Sequence, residues 1–143
     1  MDGDSINSYR DLRVWQQSMD AAVTVLAACD EEPLSRKYRL AGQLEACAAS
    51  IPANIAEGHA SGSTKNYLKH LYIARGSLAE SQTFVELFGR RGYLATPRVR
   101  SMMTSFDSIG RMLNALINSL AKKKAQGRKP QPDPAVRPPS PKP

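Results

Sequence analysis

The chain has 143 residues and a formal net charge of +7, with 41% hydrophobic and only 6% aromatic residues. This length predicts a single domain with one hydrophobic core. The sequence has no apolar run of the about 20 residues that a membrane-spanning helix needs, and its polar, acidic N-terminal segment lacks a secretory signal pattern. Because Cys29 and Cys47 are its only cysteines, no disulfide framework forms, and we expect a cytoplasmic protein without membrane association.

The first predicted element is a helix over residues 9–30, which follows a flexible N-terminus over residues 1–8. Apolar residues recur along this helix at spacings of three and four, the pattern of a bundle helix, at Leu12, Trp15, Met19, Ala22, Leu26 and Cys29. Val14 and Val25 form a second apolar stripe. We expect the first stripe to face the core and the second to indicate contact with another subunit.

A second helix is predicted over residues 35–59. Its core stripe consists of Leu40, Leu44, Cys47, Ile51 and Ile55. Pro52 lies inside this helix and should kink it or remove one hydrogen bond. The glycine-containing segment 58–62 is expected to break the helix.

The third and fourth helices are predicted over residues 64–90 and 97–124. Ser63 is the expected N-cap of the third helix, and Gly92 is its left-handed stop. Thr96 is the expected cap of the fourth helix, with Pro97 at its first position. The core stripes of the two helices are Tyr67, Leu71, Ala74, Leu78, Ser81, Val85 and Phe88, followed by Val99, Met102, Phe106, Ile109, Leu113, Leu116 and Leu120.

These elements predict an all-α protein with no strand. Short connections between long helices favour an up-down-up-down antiparallel four-helix bundle over residues 9–124. Three apolar residues of the third helix, Ile73, Phe84 and Leu87, lie away from its core stripe. A wide buried face between two neighbouring helices explains them, and so does a subunit interface. We favour a homo-oligomer in which these three residues form the interface.

The positive charge is concentrated near the C-terminus. From residue 122 onward there are seven basic residues and one acidic residue, together with seven of the ten prolines. Residues 1–121 are close to neutral, with thirteen basic and twelve acidic residues. We predict a disordered, basic, Pro-rich tail over residues 125–143. It is either a solubilising extension or an arm that binds polyanions without specificity.

The sequence has no pattern that predicts catalysis. The histidines and cysteines lack the spacing of a metal site, and no phosphate-binding loop or dinucleotide-binding glycine pattern is present. We therefore predict no enzymatic activity, no cofactor and no metal. Cys29 and Cys47 lie on apolar stripes and are interpreted as buried, inert thiols.

One polar group of residues stands out in the second and third helices. Ser50, Asn54 and Glu57 share a helix face, and Glu80 is expected to face them across the turn. A hydrogen-bond network that fixes helix register and satisfies backbone groups left free by Pro52 is the favoured interpretation. A small-ligand or nucleotide site is the alternative.

Five segments carry a resemblance to a known family. They are Tyr9-Arg10-Asp11-Leu12-Arg13-Val14-Trp15-Gln16, Tyr38-Arg39-Leu40 with Gln43, Ser50-Ile51-Pro52-Ala53-Asn54-Ile55-Ala56-Glu57-Gly58, Ile73-Ala74-Arg75-Gly76-Ser77-Leu78-Ala79-Glu80, and Gly92-Tyr93-Leu94. Together these segments resemble the four-helix bundle proteins encoded in intervening sequences of bacterial 23S rRNA genes. The accessory variability determinant of diversity-generating retroelements is similar.

The resemblance implies a ring-shaped homopentamer without known enzymatic activity. For the retroelement accessory protein, it also implies binding to nucleic acid and to a partner reverse transcriptase. The residues that match the family's motif positions, as structural groups, are Asn54, Glu57, Gly58, Gly76, Ser77 and Glu80.

Two functions follow as hypotheses. The first is a non-enzymatic oligomer that binds RNA or DNA through basic residues, which are Lys65, Lys69, Arg90, Arg91, Arg98, Arg100, Lys122, Lys123 and Lys124. A solvated surface is the default interpretation of every local basic group before the tail, and these groups also include Arg10 with Arg13 and the run Arg36, Lys37 and Arg39. The alternative function is a protein-interaction scaffold whose basic charge is incidental.

Overall fold

The computed structural model of the protein describes residues 7–127, which form four long helices and no strand. These helices are α1 (Arg13–Cys29), α2 (Tyr38–Ala60), α3 (Thr64–Arg90) and α4 (Thr96–Gly127). Both α1 and α3 pack against α2 and α4, whereas α1 and α3 do not touch and occupy opposite corners of the bundle. The all-α class predicted from the sequence is confirmed for these residues, and none of their helices has an apolar stretch that would span a bilayer.

The predicted tail and N-terminus lie mostly outside the described residues. Residues 125–127, assigned to the tail from the sequence, continue α4. Residues 7 and 8, assigned to a flexible N-terminus, precede a short 3-10 helix (Tyr9–Asp11). The Ser8 hydroxyl accepts a hydrogen bond from the Arg10 amide at 3.1 Å, and the Asp11 carboxylate accepts one from the Ser8 amide at 3.3 Å. This capping box fixes where the chain enters the bundle.

The first two predicted helices each divide into two elements. Extended backbone at Leu12 separates the first 3-10 helix from α1. A second 3-10 helix (Leu34–Arg36) precedes α2, and non-helical backbone at Lys37 separates the two. Apolar periodicity continues across both interruptions, and the sequence prediction therefore merged each pair of elements into one helix.

The ends of α3 agree with the prediction. The Ser63 hydroxyl accepts a hydrogen bond from the Asn66 amide at 3.3 Å, and Gly92 follows the helix with φ of +76°. The start of α4 differs, because the Val99 amide donates to the Ala95 carbonyl at 3.1 Å. Ala95 therefore occupies the cap position, and Thr96 is the first helical residue.

Helix α2 ends at Ala60, within the segment 58–62 where the sequence predicts a break, and Gly58 is the last buried residue of the helix. The helix continues through Pro52 and Gly58 to Ala60. A Cβ atom on Gly58 would lie 2.8 Å from the Cβ atom of His70 and 3.2 Å from Cδ1 of Tyr67. The missing side chain thus allows α2 and α3 to pack closely.

The core contains aromatic and branched aliphatic side chains from all four helices. Its largest fully buried members include Phe88, Phe106, Leu44, Ile51 and Leu113. The central positions of the stripes predicted for α3 and α4 are buried as expected. On α2, four of the five predicted positions are buried, but Leu40 is 41% exposed.

The core face of α1 is rotated from its predicted position. Its buried residues are Val14, Ser18, Ala21, Ala22, Val25, Ala28 and Cys29. Met19 and Leu26, both predicted to be in the core, are 39% and 41% exposed. Both stripes are apolar, and spacing alone does not distinguish them. The structure buries the stripe with the smaller side chains, and the Ser18 hydroxyl donates to the Val14 carbonyl at 2.6 Å. Val14 and Val25 therefore belong to the core, and their assignment to a subunit contact is wrong.

Candidate nucleic-acid interface

Two connections of the bundle lie together at one end. We refer to residues 30–39 and 90–100, which contain these connections and the adjoining helix ends, as the loop end. Arg98 forms an ion pair with Glu31 across the two connections. The Lys37 ammonium lies 4.7 Å from the centre of the Tyr93 ring, a distance typical of a cation–π contact. The sequence-distant residues of the loop end thus form one surface.

Basic residues outnumber acidic ones at the loop end by seven to three. Three of the arginines are paired with carboxylates: Arg36 with Glu32, Arg90 with Glu86, and Arg98 with Glu31. The other four basic residues form no ion pair with any residue of 7–127; these are Lys37, Arg39, Arg91 and Arg100. Their charges are therefore available to an anionic partner.

Tyr93 positions two of these cations. Its ring centre lies 5.2 Å from the Arg91 guanidinium carbon, and the Arg91 guanidinium also donates to the Tyr93 hydroxyl at 3.2 Å. Hydrogen bonding by Lys37, which is the larger cause, and by Arg91 lowers the pKa of Tyr93, because both cations favour the phenolate. The tyrosine therefore brings together a lysine from the α1–α2 connection and an arginine from the α3–α4 connection.

The basic residues selected from the sequence fall into separate regions. Arg90, Arg91, Arg98 and Arg100 belong to the loop end. Lys65 and Lys69 lie in the first turns of α3, and Lys122, Lys123 and Lys124 lie in the last turns of α4. Each of these lysines is about 20 or more helical residues from the loop end. At 1.5 Å per residue, this separation is about 30 Å or more.

Sequence reasoning missed the contribution of the α2 start to this surface. Lys37, Tyr38 and Arg39 form part of a basic run that is visible in the sequence. A solvated surface is the default interpretation of this run, as of the other local basic groups, and no spacing rule connects it to Arg91. The contact between Lys37 and Tyr93 supplies that connection.

The polar residues predicted on α2 form a hydrogen-bond chain with α3. The Asn54 amide donates to the Ser50 carbonyl at 2.8 Å and to the Ser50 hydroxyl at 2.9 Å. The Ser77 hydroxyl donates to the Ser50 hydroxyl at 2.9 Å, and Nδ1 of His70 lies 3.0 Å from Oδ1 of Asn54. We refer to Ser50, Asn54, His70 and Ser77 as the polar seam. The bonds from α2 to α3 support a role in helix register.

The polar seam differs from its prediction in three respects. Pro52 leaves the Ala48 carbonyl without its helical donor, but Asn54 bonds to the Ser50 carbonyl instead. The Glu57 carboxylate is largely exposed and lies 3.9 Å from Nδ1 of His70. His70 itself was not predicted. The sequence signal for it is that Asn54 and His70 are each eight residues from Gly62 at the turn, so two antiparallel helices would bring them opposite each other.

The remaining predicted members of this group lie on the surface. Glu80 is exposed beside a polar groove of about 440 Å³ that also borders Arg39, Ser50 and Ser77, without bonding to Asn54 or Glu57. Gly76 is exposed, and a Cβ atom there would meet nothing within 4 Å. Packing therefore does not require a glycine at this position.

The described part of the chain has no group of three His, Cys, Asp or Glu side chains that could hold a metal. Both cysteines are buried, as predicted. Burial raises the pKa of Cys29 to about 11 and also raises the pKa of Cys47, since the charged thiolate is poorly solvated there. Both thiols are therefore protonated at neutral pH.

The model of one protein family, described as 23S rRNA-intervening sequence protein, matches residues 10–115. The chain belongs to this family. The fold is also similar to a crystal structure from Bacteroides thetaiotaomicron, described as a protein with unknown function from the S23 ribosomal protein family. That similarity has a TM-score of 0.68 and 23% sequence identity, and covers 73% of this chain and 97% of the other. No curated protein matches the chain significantly.

This member of the 23S rRNA-intervening sequence protein family also has an apolar groove between α1 and α2. The groove has a volume of about 310 Å³. Large side chains of α1 form one side and small residues of α2 form the other: Tyr9, Trp15, Met19, Ala22, Val23 and Leu26, with Ala49, Pro52, Ala53 and Ala56. Four of the six residues predicted for the core of α1 thus line this groove: Trp15, Met19, Ala22 and Leu26.

The three predicted interface residues on α3 differ in exposure. Ile73 is 43% exposed and Leu87 is 44% exposed. Phe84 is partly buried against the core, with its ring centre 5.9 Å from that of Phe88. The outer side of α3 therefore presents apolar surface at the corner of the bundle opposite α1.

Proposed function

We propose that the chain is a non-enzymatic, cofactor-free cytoplasmic protein that binds RNA or DNA through its loop end. The observation that carries this proposal is the grouping of Lys37, Arg39, Arg91 and Arg100, which form no ion pair within residues 7–127. Phosphate oxygens are the natural partners of such cations, and arginine binds them with two parallel hydrogen bonds.

The proposal refines the choice of binding residues. Arg90 and Arg98 have carboxylate partners within the protein, so they contribute less to phosphate binding than Arg91 and Arg100. Exposed ion pairs of this kind contribute about 0–1 kcal/mol to stability, and they mainly neutralise the local charge. Lys65, Lys69, Lys122, Lys123 and Lys124 lie outside the proposed interface.

The test compares two double variants of the full chain that change the net charge equally. Arg39→Glu with Arg91→Glu reverses two cations of the loop end. Arg13→Glu with Arg111→Glu reverses two exposed cations elsewhere. Binding to a fluorescent 20-nucleotide RNA and its DNA counterpart is measured by anisotropy, and folding is checked by circular dichroism.

The loop-end variant is expected to bind at least about tenfold more weakly than the control variant, because removing a cation that binds a phosphate reduces affinity at low salt. Equal weakening of the two variants would mean that net charge alone drives binding, and the proposal would then be wrong. A variant of Lys65 and Lys69 that weakens binding while the loop-end variant does not would also overturn it.

A protein-interaction scaffold is the second candidate, and the apolar groove favours it. Exposed apolar surface of this kind typically marks a contact with another protein. We propose that the protein forms a homo-oligomer in which the α1–α2 groove of one copy receives the α3 surface around Ile73 and Leu87 of the next. Two different surfaces on opposite corners produce head-to-tail contacts, which close into a ring when the rotation permits.

The expected assembly is the one that the family resemblance implies, a homopentameric ring of up-down-up-down antiparallel bundles. A reverse transcriptase, or another protein partner, would then bind to the assembled ring. Helices joined in chain order and packed on sequential neighbours support the bundle topology.

Sedimentation velocity of the full chain tests this second candidate. The unmodified protein should sediment as an oligomer, and Met19→Glu or Ile73→Glu should shift it towards the 15.7 kDa monomer. Thr24→Glu, on an exposed part of α1 outside the groove, should leave the mass unchanged. A monomeric unmodified protein would contradict the proposed self-association.

A further inference from the structure

Tyr38 differs from the other tyrosines in what surrounds its ring. It is 72% exposed, the largest exposed fraction among the bulky apolar and aromatic residues of 7–127. A hollow of about 310 Å³ at the start of α2 is lined only by Arg36, Lys37, Tyr38, Arg39 and Leu40. The ring therefore lies in solvent with basic side chains on both sides along the chain.

The other four tyrosines have a ring or a cation against them. Tyr9 packs on Trp15, Tyr67 packs on His59, Tyr72 lies under Arg75, and Tyr93 contacts Lys37 and Arg91. Among residues 7–127, Tyr38 is the one tyrosine whose ring has neither kind of partner. Its open faces are not explained by packing within the chain.

An exposed aromatic ring between cations is typical of surfaces that bind single-stranded nucleic acid. Such strands bind where bases stack on aromatic rings and phosphates follow a basic path. Lys37 is already positioned by Tyr93, 4.7 Å from the ring centre, and Arg39 follows Tyr38 directly in the chain. One unstacked base of a single strand on Tyr38 would place its neighbouring phosphates near these two cations.

We propose that the loop end prefers single-stranded nucleic acid and that Tyr38 stacks on one of its bases. This inference rests on the proposed nucleic-acid binding at the same surface and specifies the substrate class. A duplex offers no base face to the ring, because its bases are stacked on each other. The selectivity for single strands therefore comes from Tyr38, whereas the cations act on any phosphate backbone.

The experiment compares three variants of the full chain. Tyr38→Ala removes the ring, Tyr38→Phe keeps the ring without its hydroxyl, and Tyr72→Ala removes an exposed tyrosine on α3 as the matched control. Anisotropy is measured with a 12-nucleotide oligouridine RNA, a 12-nucleotide oligothymidine DNA, and a 12-base-pair duplex. Because Tyr38 is largely exposed, Tyr38→Ala should fold normally, which a thermal melt verifies.

Tyr38→Ala should weaken binding to single strands by about tenfold, the size expected when one base–aromatic stack is removed. Tyr38→Phe and Tyr72→Ala should bind like the unmodified chain, and none of the three changes should affect duplex binding. Photocrosslinking of the same RNA carrying 5-bromouridine should attach it to Tyr38, as mass spectrometry of the digested protein would show. The RNA and DNA arms show whether the sugar matters.

Two outcomes separate this inference from the function on which it rests. If the Arg39 and Arg91 double variant weakens binding to all probes while Tyr38→Ala weakens none, the stacking inference is wrong and loop-end binding stands. If the double variant and Tyr38→Ala both leave binding unchanged, both proposals are wrong. Equal weakening of single-strand and duplex binding by Tyr38→Ala would also overturn the single-strand preference.

Discussion

The two sides of α2 differ in how completely the chain covers them. On the α3 side, the polar seam links Ser50 to Ser77 and Asn54 to His70, and the backbone approaches closely at Gly58. On the α1 side, Ala49, Ala53 and Ala56 line an apolar groove. On the first side the seam residues bond to one another, although the buried Tyr67 hydroxyl beside Gly58 has no hydrogen-bond partner among the described residues. The second leaves apolar surface exposed, and the proposed self-association would use that face of the helix.

The largest expected effect comes from filling the close approach on the α3 side. Gly58→Ala should lower the free energy of unfolding by about 2 kcal/mol, because the new Cβ atom meets the Cβ atom of His70 and the helices must separate. Gly76→Ala is the matched control in the exposed middle of α3. It should raise stability by about 0.5–1 kcal/mol through helix propensity alone. Urea unfolding measures both, and equal effects would contradict the close contact.

A smaller effect distinguishes the two stripes of α1. Val25→Ala should lower the free energy of unfolding by about 1–2 kcal/mol, since the side chain is fully buried. Leu26→Ala, in the predicted core stripe at a position that is 41% exposed beside the groove, should lower it by less than Val25→Ala does. The comparison is made below the concentration at which the chain self-associates. A larger loss for Leu26→Ala than for Val25→Ala would support the face predicted from the sequence.

The smallest effect concerns the polar seam. Asn54→Ala removes hydrogen bonds to Ser50 and His70 and should lower the free energy of unfolding by about 1 kcal/mol. Asn118→Ala, on the exposed side of α4, provides the control and should be neutral or slightly stabilising. Thermal unfolding followed by circular dichroism is sufficient. If Asn54→Ala were as harmless as the control, the seam would not contribute to register.

Sequence patterns predicted elements with strong local signals better than contacts between distant residues. The bounds of α3 agree with prediction because Ser63 and Gly92 act through the local backbone. The face of α1 was misassigned because both of its stripes are apolar, and only the neighbouring helices determine which stripe is buried. Lys37 and Tyr93 are far apart in the chain, so no spacing rule links them. The loop end therefore required the three-dimensional fold.

The three ion pairs of the loop end also limit how many counterions a bound strand would release. A single strand releases about 0.7 condensed counterions for each of its phosphates that a protein cation neutralises. Arg36, Arg90 and Arg98 already have carboxylates beside them. If only the four remaining cations neutralise phosphates, the slope of log affinity against log salt is expected to be about −3. If all seven did so, it would be about −5. If the loop end binds a strand as proposed, the carboxylates of Glu31, Glu32 and Glu86 would reduce how steeply its affinity changes with ionic strength.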